Sequence, residues 1–109
     1  MSINRDLVKI ADYYGLYPQL HVTQEEAAEL IVAISKFARE PDIREKEAIT
    51  EELADLQIMI DQICYLLDIY DTDIESYKTD KIARQIGRIR AELALNGTPQ
   101  EEINARFNK

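Results

Sequence analysis

The strongest constraint on the fold is a line of apolar residues that repeats at alternating spacings of four and three. Such spacing places the side chains on one side of an α-helix and is typical of helices packed in a bundle. The stripe consists of Ile49, Leu53, Leu56, Ile60, Ile63 and Leu67. Only 3 glycines and 3 prolines occur in 109 residues, so little interrupts long helices. We therefore expect an all-α fold.

The first half of the chain predicts two helices separated by a loop. The first helix is expected over Asn4–Tyr14, where apolar residues recur on one face. The segment Leu16–Val22 contains Pro18 and is expected to be a loop. A threonine three residues before Glu26 has the spacing of a capping box, which predicts a second helix over Thr23–Arg39.

The second half predicts two longer helices and a short terminal one. The apolar stripe lies in a helix expected over Ile43–Ile69. Thr72 and Glu75 form a second capping box, which opens a fourth helix. Asn96-Gly97 predicts its end, and Thr98-Pro99-Gln100-Glu101 opens the short terminal helix. We expect residues 1–109 to form one domain, a four-helix-bundle-like protomer with a short C-terminal helix.

The amino-acid composition and net charge limit the kinds of molecule that the chain can bind and the compartment in which it is expected. The net charge of -8 argues against nucleic acid or an anionic membrane, but permits a small phosphate ligand bound through a divalent cation. The single cysteine, Cys64, excludes an internal disulfide and fits a reducing compartment. No signal-peptide pattern opens the sequence and no apolar run is long enough to span a membrane. We therefore expect a cytoplasmic protein that does not bind membranes.

Two short acidic motifs repeat within the chain. The segment Glu25–Leu30 recurs 26 positions later as Glu51–Leu56. Each copy carries a pair of acids spaced three apart, which places both on one face of a helix. The pairs are Glu26 with Glu29, and Glu52 with Asp55. The repeat suggests two neighbouring helices that present equivalent acidic pairs.

The position of these acids around each helix is unusual. At about 100° per residue, Glu26 and Glu52 fall inside the apolar arc of their helices, and Glu29 and Asp55 lie at its edge. An unpaired buried carboxylate is costly, and four together would repel each other and raise a pKa. A divalent cation removes both problems. A non-functional explanation also stays open: the acids could form a solvated face or reflect the preference for acids near a helix N-terminus.

The chemistry of the donors selects the metal. Oxygen-only ligands favour Mg²⁺, with Mn²⁺ as the alternative, over zinc. A di-iron bundle would need two Glu-x-x-His motifs, and the only histidine is His21, expected in the loop. We therefore predict a magnesium site formed by Glu26, Glu29, Glu52 and Asp55.

A basic stripe is expected on the fourth helix. Its members share one side at spacings of three, three and four: Lys78, Lys81, Arg84 and Arg88. Their functional interpretation is neutralisation of phosphate oxygens that the metal leaves uncovered. The alternative is a solvated face paired with nearby acids such as Glu75 and Glu92.

At these residues the sequence resembles the MazG-like all-alpha nucleoside triphosphate pyrophosphohydrolases. Their motif is Glu-x-x-Glu followed after a gap by Glu-x-x-Asp, here Glu26-Ala-Ala-Glu29, 22 intervening residues, and Glu52-Leu-Ala-Asp55. Members often carry a later basic cluster, which Lys81-Ile-Ala-Arg84-Gln85-Ile-Gly-Arg88 is similar to. The resemblance covers about residues 19–90.

The resemblance implies Mg²⁺-dependent hydrolysis of a nucleoside triphosphate to the monophosphate and pyrophosphate. The four acids would be metal ligands, and one would also orient the attacking water. It also implies a homodimer or homotetramer, in agreement with the thin core expected of so short a chain. The base, the sugar and the choice between dimer and tetramer stay open. A different class of function also stays open: a non-catalytic helical oligomer that binds nucleotide or docks a protein.

Overall fold

The computed structural model describes residues 3–108, and over that range the chain consists of α-helices and the segments that connect them. Its helices are α1 (Arg5–Tyr14), α2 (Leu16–Arg39), α3 (Ile43–Leu66), α4 (Asp71–Leu95) and α5 (Gln100–Phe107). The expected all-α class is therefore confirmed. Within the described range, no helix is both long enough and apolar enough to cross a membrane.

Local signals at both ends of α1 act as expected. The Asn4 side chain accepts hydrogen bonds from the backbone N–H groups of Asp6 (2.8 Å) and Leu7 (3.3 Å), which have no partner within the helix. At the other end Gly15 adopts φ +83°, a conformation that L side chains rarely reach. This glycine ends α1 and directly precedes α2.

The prediction of a loop over Leu16–Val22 is wrong, because α2 already begins at Leu16. Pro18 stands in the first helical turn, where its missing N–H removes no intrahelical hydrogen bond. Thr23 therefore lies inside the helix and opens no capping box. Its hydroxyl instead donates a hydrogen bond to the Gln19 carbonyl, at 2.7 Å.

The third helix begins as expected and ends three residues early. The Asp42 side chain accepts a hydrogen bond from the Glu45 N–H at 2.9 Å and so caps α3. Beyond Leu66, Asp68 adopts φ +54° and the Ile69 N–H bonds to the Cys64 carbonyl at 2.9 Å. This is a Schellman ending, and it turns the chain away before Ile69.

The described chain divides into two compact units between Tyr70 and Asp71. In the first unit, α2 packs against α3, and α1 contacts both. Gln19 near the start of α2 bonds to Gln62 near the end of α3, so these helices run antiparallel. Few of the described apolar residues of this unit are buried, in agreement with the thin core expected of so short a chain: Leu7, Ala11, Ala33 and Met59.

In the second unit α4 packs against α5. The helix α4 begins at Asp71, one residue before the predicted cap at Thr72. It ends at Leu95 with a second Schellman arrangement, in which Gly97 adopts φ +86°, as the Asn96-Gly97 signal predicts. The guanidinium of Arg90 donates to the side chains of Asn104 in α5 and of Asn108, the residue that caps its C-terminus, and Ile103 of α5 is buried. The single domain and the four-helix-bundle arrangement stay predictions.

The apolar stripe of α3 separates into two lines of different exposure. Ile49, Leu56 and Ile63, spaced seven apart, are half-buried in the chain. The other three members, spaced seven apart on the adjacent side, remain 42 to 45% exposed: Leu53, Ile60 and Leu67. One side of α3 therefore carries an apolar line that this chain covers only in part.

The cap of α3 can be tested by replacing Asp42 with alanine. Loss of its bond to the Glu45 N–H should lower the free energy of unfolding by about 1 kcal/mol. Urea denaturation of both proteins measures this difference. The control Glu47→Ala, an exposed change on the same helix, should alter stability by less than about 0.5 kcal/mol. Equal stability of Asp42→Ala and the native chain would show that the bond has no energetic role.

Candidate metal centre

The antiparallel contact between α2 and α3 brings the two acidic pairs together. Glu26 of α2 contacts Asp55 of α3 through its side chain, and Glu29 contacts Glu52 in the same way. The pairs therefore meet crosswise, the first acid of each helix opposite the second acid of the other. The expected cluster of carboxylates between the two helices is confirmed in its placement.

Three of the four acids come close enough to share one ion. Glu26, Glu52 and Asp55 each offer one carboxylate oxygen, and these three oxygens lie within 4.8 Å of one another. Glu29 is not part of this group of three. Its negative charge nevertheless acts on both Glu26 and Glu52, so it belongs to the same electrostatic cluster.

The inward acids each carry a buried oxygen that lacks a hydrogen-bond donor. Among the described residues, the Oε2 atoms of Glu26 and Glu52 are buried and accept no hydrogen bond. A carboxylate can only accept, so neighbouring carboxylates satisfy one another only by sharing a proton. Buried polar atoms without a partner are costly and uncommon. Such atoms in an acidic cluster indicate either a shared proton or a cation.

The surroundings of Glu26 favour its neutral form. Its pKa rises from 4.5 to about 7, chiefly because burial removes solvent from the carboxylate. The negative charges of Glu29, Asp55 and Glu52 raise it further, and the protonated acid would also donate to Asp55. A proton on Glu26 is therefore one way in which the cluster relieves its own repulsion.

Glu52 responds in the same direction. Burial raises the pKa of Glu52 first, followed by the side-chain contact and the charge of Glu29, and by the charge of Asp55. Its contact with Glu26 acts in the opposite direction, because a protonated Glu26 would donate to it. The expectation that Glu26 and Glu52 are the inward members is confirmed, since both are half-buried whereas Glu29 and Asp55 are exposed.

These residues fit a hard divalent cation. The cluster offers oxygen atoms only, as Mg²⁺ and Mn²⁺ prefer. No donor among the described residues reaches the buried Oε2 atoms of Glu26 and Glu52, and a bound cation would offset both the burial and the neighbouring charges that raise the pKa values of these acids. Exposed acidic groups are common without a metal, so the two buried atoms are the observation that favours an ion here.

A groove adjoins the cluster between α2 and α3. It encloses about 370 Å³, within the range of small-molecule sites. It is lined by the charged residues Glu29, Lys36, Glu45 and Glu52 and by four apolar ones, Ala28, Val32, Ala33 and Ala48. The acidic cluster therefore borders a space large enough for part of an organic ligand.

The basic stripe lies on α4, in the second unit. All four members are exposed: Lys78, Lys81, Arg84 and Arg88. Lys78 forms an ion pair with Glu75 at 3.3 Å, so the solvated alternative holds for that residue at least in part. A role in phosphate binding stays a prediction for all four.

Sequence patterns misplaced one residue near the site and missed two others. His21 was expected in a loop and lies exposed on α2. Gln19 and Gln62 are buried and hydrogen-bonded to each other, although neither stood out in the sequence. A signal existed: Gln19 stands seven residues before Glu26, and Gln62 seven after Asp55, so each shares a helical side with an acid of the cluster.

Comparison of the chain with protein-family models, with curated proteins and with solved structures finds no match. The resemblance to MazG-like pyrophosphohydrolases therefore stays a prediction. The placement of the acids stands on the geometry alone. Their roles as ligands, and the identity of the ion, stay predictions as well.

The raised pKa of Glu26 predicts how the metal-free protein responds to pH. The folded state holds its proton up to a pH of about 7, whereas an unfolded glutamate releases it near 4.5. Stability from this group is therefore full below pH 4.5 and is lost as the pH rises through about 7. Glu26→Gln should remove this loss and make the protein more stable at pH 8 by about 1 kcal/mol, allowing for partial solvent screening.

Urea denaturation with a chelator present, at several values between pH 5 and pH 8, tests this prediction. The control Glu25→Gln changes the adjacent, exposed acid and should follow the pH dependence of the native chain. Added Mg²⁺ should raise the stability of the native chain at pH 8 more than that of Glu26→Gln. Parallel pH curves for Glu26→Gln and the native chain would contradict the assignment of the raised pKa to Glu26.

Proposed function

We propose that this chain hydrolyses a nucleoside triphosphate to the nucleoside monophosphate and pyrophosphate, in the presence of Mg²⁺. The observation that carries the proposal is the acidic cluster of Glu26, Glu52 and Asp55, in which Glu26 and Glu52 each also have a buried Oε2 atom that accepts no hydrogen bond from the described residues. That cluster coincides with the Glu-x-x-Glu and Glu-x-x-Asp motifs. The reaction itself comes from the resemblance to MazG-like pyrophosphohydrolases.

Glu26, Glu52 and Asp55 would hold the ion, because their oxygens lie together. Bound Mg²⁺ would supply positive charge to the phosphate oxygens and stabilise the charge that develops during attack. The two helices contribute from both sides of the cluster. Rigid helices hold such ligands more accurately than loops would.

Glu29 has the position expected of a proton acceptor. Its carboxylate is exposed and lies beside Glu52, outside the group of three oxygens. It would orient a water molecule and accept its proton as the water oxygen bonds to the α-phosphorus. The bond between the α-phosphorus and the bridging oxygen breaks, and pyrophosphate leaves.

Two further features would bind the remaining parts of the substrate: the groove and the basic stripe. The groove of about 370 Å³ beside Glu29 and Glu52 has room for the sugar or the base. Lys81 and Arg84, with Lys78 and Arg88 on the same side of α4, would stabilise the charge of the pyrophosphate group. Their role in the proposal follows from their charge and alignment.

We propose that the protein works as a homodimer or homotetramer of bundle-like protomers. The apolar line of Leu53, Ile60 and Leu67 supports this, because it stays 42 to 45% exposed in one chain. Large apolar side chains of α2 are also exposed, with Ile31 at 65%. Burial of such surface is the usual driving force of association. The single cysteine of the chain favours a reducing, cytoplasmic setting.

Pyrophosphate release from a panel of ribo- and deoxyribonucleoside triphosphates, with and without Mg²⁺, tests the activity. Glu29→Gln and Asp55→Asn should each lower kcat/KM for the best substrate by about 100-fold or more, since each removes charge from the reacting centre. The matched controls are Glu25→Gln and Glu51→Gln. They change the exposed acids that immediately precede the inward ones and should retain the activity.

The same panel separates the proposal from the binding-module alternative. Calorimetry with a nonhydrolysable triphosphate would show Mg²⁺-linked binding in either case. Tight binding without any product would favour a module that sequesters nucleotide. Full activity of both Glu29→Gln and Asp55→Asn would contradict the proposed site.

The basic stripe generates a separate prediction. Lys81→Ala combined with Arg84→Ala should lower kcat/KM by about tenfold or more, because two charge-assisted contacts to phosphate are lost. Steady-state kinetics in the presence of Mg²⁺ measures the change. The difference in kcat/KM between the double variant and the native chain should become smaller as the salt concentration rises. The control is Lys46→Ala, an exposed lysine of α3. Equal loss in the control would indicate a general effect of net charge.

A further inference from the structure

A buried amide pair joins the two helices that carry the acidic cluster. The Gln19 amide nitrogen donates to the Gln62 side-chain oxygen at 2.7 Å. Gln19 is 4% exposed and Gln62 is 1% exposed, so this bond is made away from water. The Gln62 amide also contacts the Met59 sulfur at 3.7 Å. Polar side chains this deeply buried would be costly unless paired with each other.

The location of the pair relates it to the cluster. Gln19 and Glu26 are seven residues apart on α2, and Asp55 and Gln62 are seven apart on α3. Two helical turns span about 10 Å, so the amide pair lies that far from the acids along the helices. The segment between Arg39 and Ile43 joins the helices at the opposite end. The acidic cluster therefore lies between a covalent connection and a hydrogen-bonded one.

The acidic cluster tends to push α2 and α3 apart, so the alignment of these helices needs a restraint. Four like charges between two helices favour separation of the helices, and the connecting segment restrains only one end. The bond from Tyr65 to Asp12 at 2.8 Å ties α3 to α1, not to α2. Apolar contacts alone tolerate small sliding of one helix along another, whereas a buried polar pair is satisfied in one register only.

We propose that Gln19 and Gln62 are positioning residues that fix the register of α2 against α3 and thereby hold the metal-binding acids in alignment before the ion arrives. The proposal rests on the acidic cluster being the functional site. It predicts that the amide pair matters more for metal affinity than for stability. A slip by one turn would move Glu26 away from Asp55 and Glu29 away from Glu52.

The test replaces both amides with leucine. The double variant Q19L/Q62L keeps the bulk and leaves no buried amide unpaired, so its thermal midpoint should equal or exceed that of the native chain. Its affinity for Mn²⁺ alone, measured by calorimetry, should fall about tenfold, the lower end of the range for residues that support metal ligands. The matched control Q24L/Q57L makes the same changes at exposed glutamines of the same two helices and should bind Mn²⁺ as the native chain does.

A second measurement reports the register without any metal. Spin labels at Glu25→Cys and Ala54→Cys, both exposed, in a Cys64→Ser background give the distance between α2 and α3 beside the cluster. The native amide pair should give one narrow distance distribution. The leucine pair should give a broader one or a second peak. If Q19L/Q62L fails to fold, Q19M/Q62M takes its place, because methionine matches the length of glutamine.

The outcomes separate the two proposals. Native Mn²⁺ affinity and an unchanged distance distribution in the leucine variant would overturn the positioning role. A lowered thermal midpoint with unchanged Mn²⁺ affinity would also overturn it, because it indicates a purely structural bond. Failure of the native chain to bind Mn²⁺ would contradict the proposed function. The label distances would then still decide whether the amide pair sets the register.

Discussion

Repulsion among carboxylates between α2 and α3 is the constraint on which the first unit of this chain depends. Glu26 and Glu52 place oxygens out of water where no described donor reaches them, and Glu29 and Asp55 add two further charges beside them. Folding must offset this cost in the absence of a ligand. A proton on Glu26 relieves part of it, and the pKa of that acid rises to about 7, first because the carboxylate is buried and then because of the charges of Glu29, Asp55 and Glu52. A cation would relieve it more completely.

The surrounding structure is organised to contain that repulsion. The short connection between Arg39 and Ile43 holds α2 and α3 together at one end, and the Gln19–Gln62 bond holds them at the other. The buried apolar side chains of these two helices are Ala33 on α2, which is small, and the longer, flexible Met59 on α3. Small residues let the helices approach closely, and close approach is what brings the acids within reach of one ion.

Sequence patterns predicted those features whose cause is local or periodic. Gly15 and Asn96-Gly97 ended helices because left-handed backbone is accessible to glycine. The inward placement of Glu26 and Glu52 followed from the 3.6-residue period alone. The pattern failed where two local rules competed: Pro18 suggested a loop, yet a proline is compatible with the first turn of a helix. The pattern also missed Gln19 and Gln62, because a neutral amide side chain occurs readily on protein surfaces. Only the packing of the partner helix shows that these two amides are buried.

Under the proposed function, an acidic cluster that destabilises the metal-free fold would couple folding stability to metal binding. If Mg²⁺ binds as proposed, its binding free energy would appear as stability of the native state, since the unfolded chain does not bring these acids together. The exposed line of Leu53, Ile60 and Leu67 acts in the same direction, because association of copies would bury it and stabilise the helix that carries Glu52 and Asp55. If both proposals hold, metal binding and self-association would favour each other, because each would stabilise the folded α3.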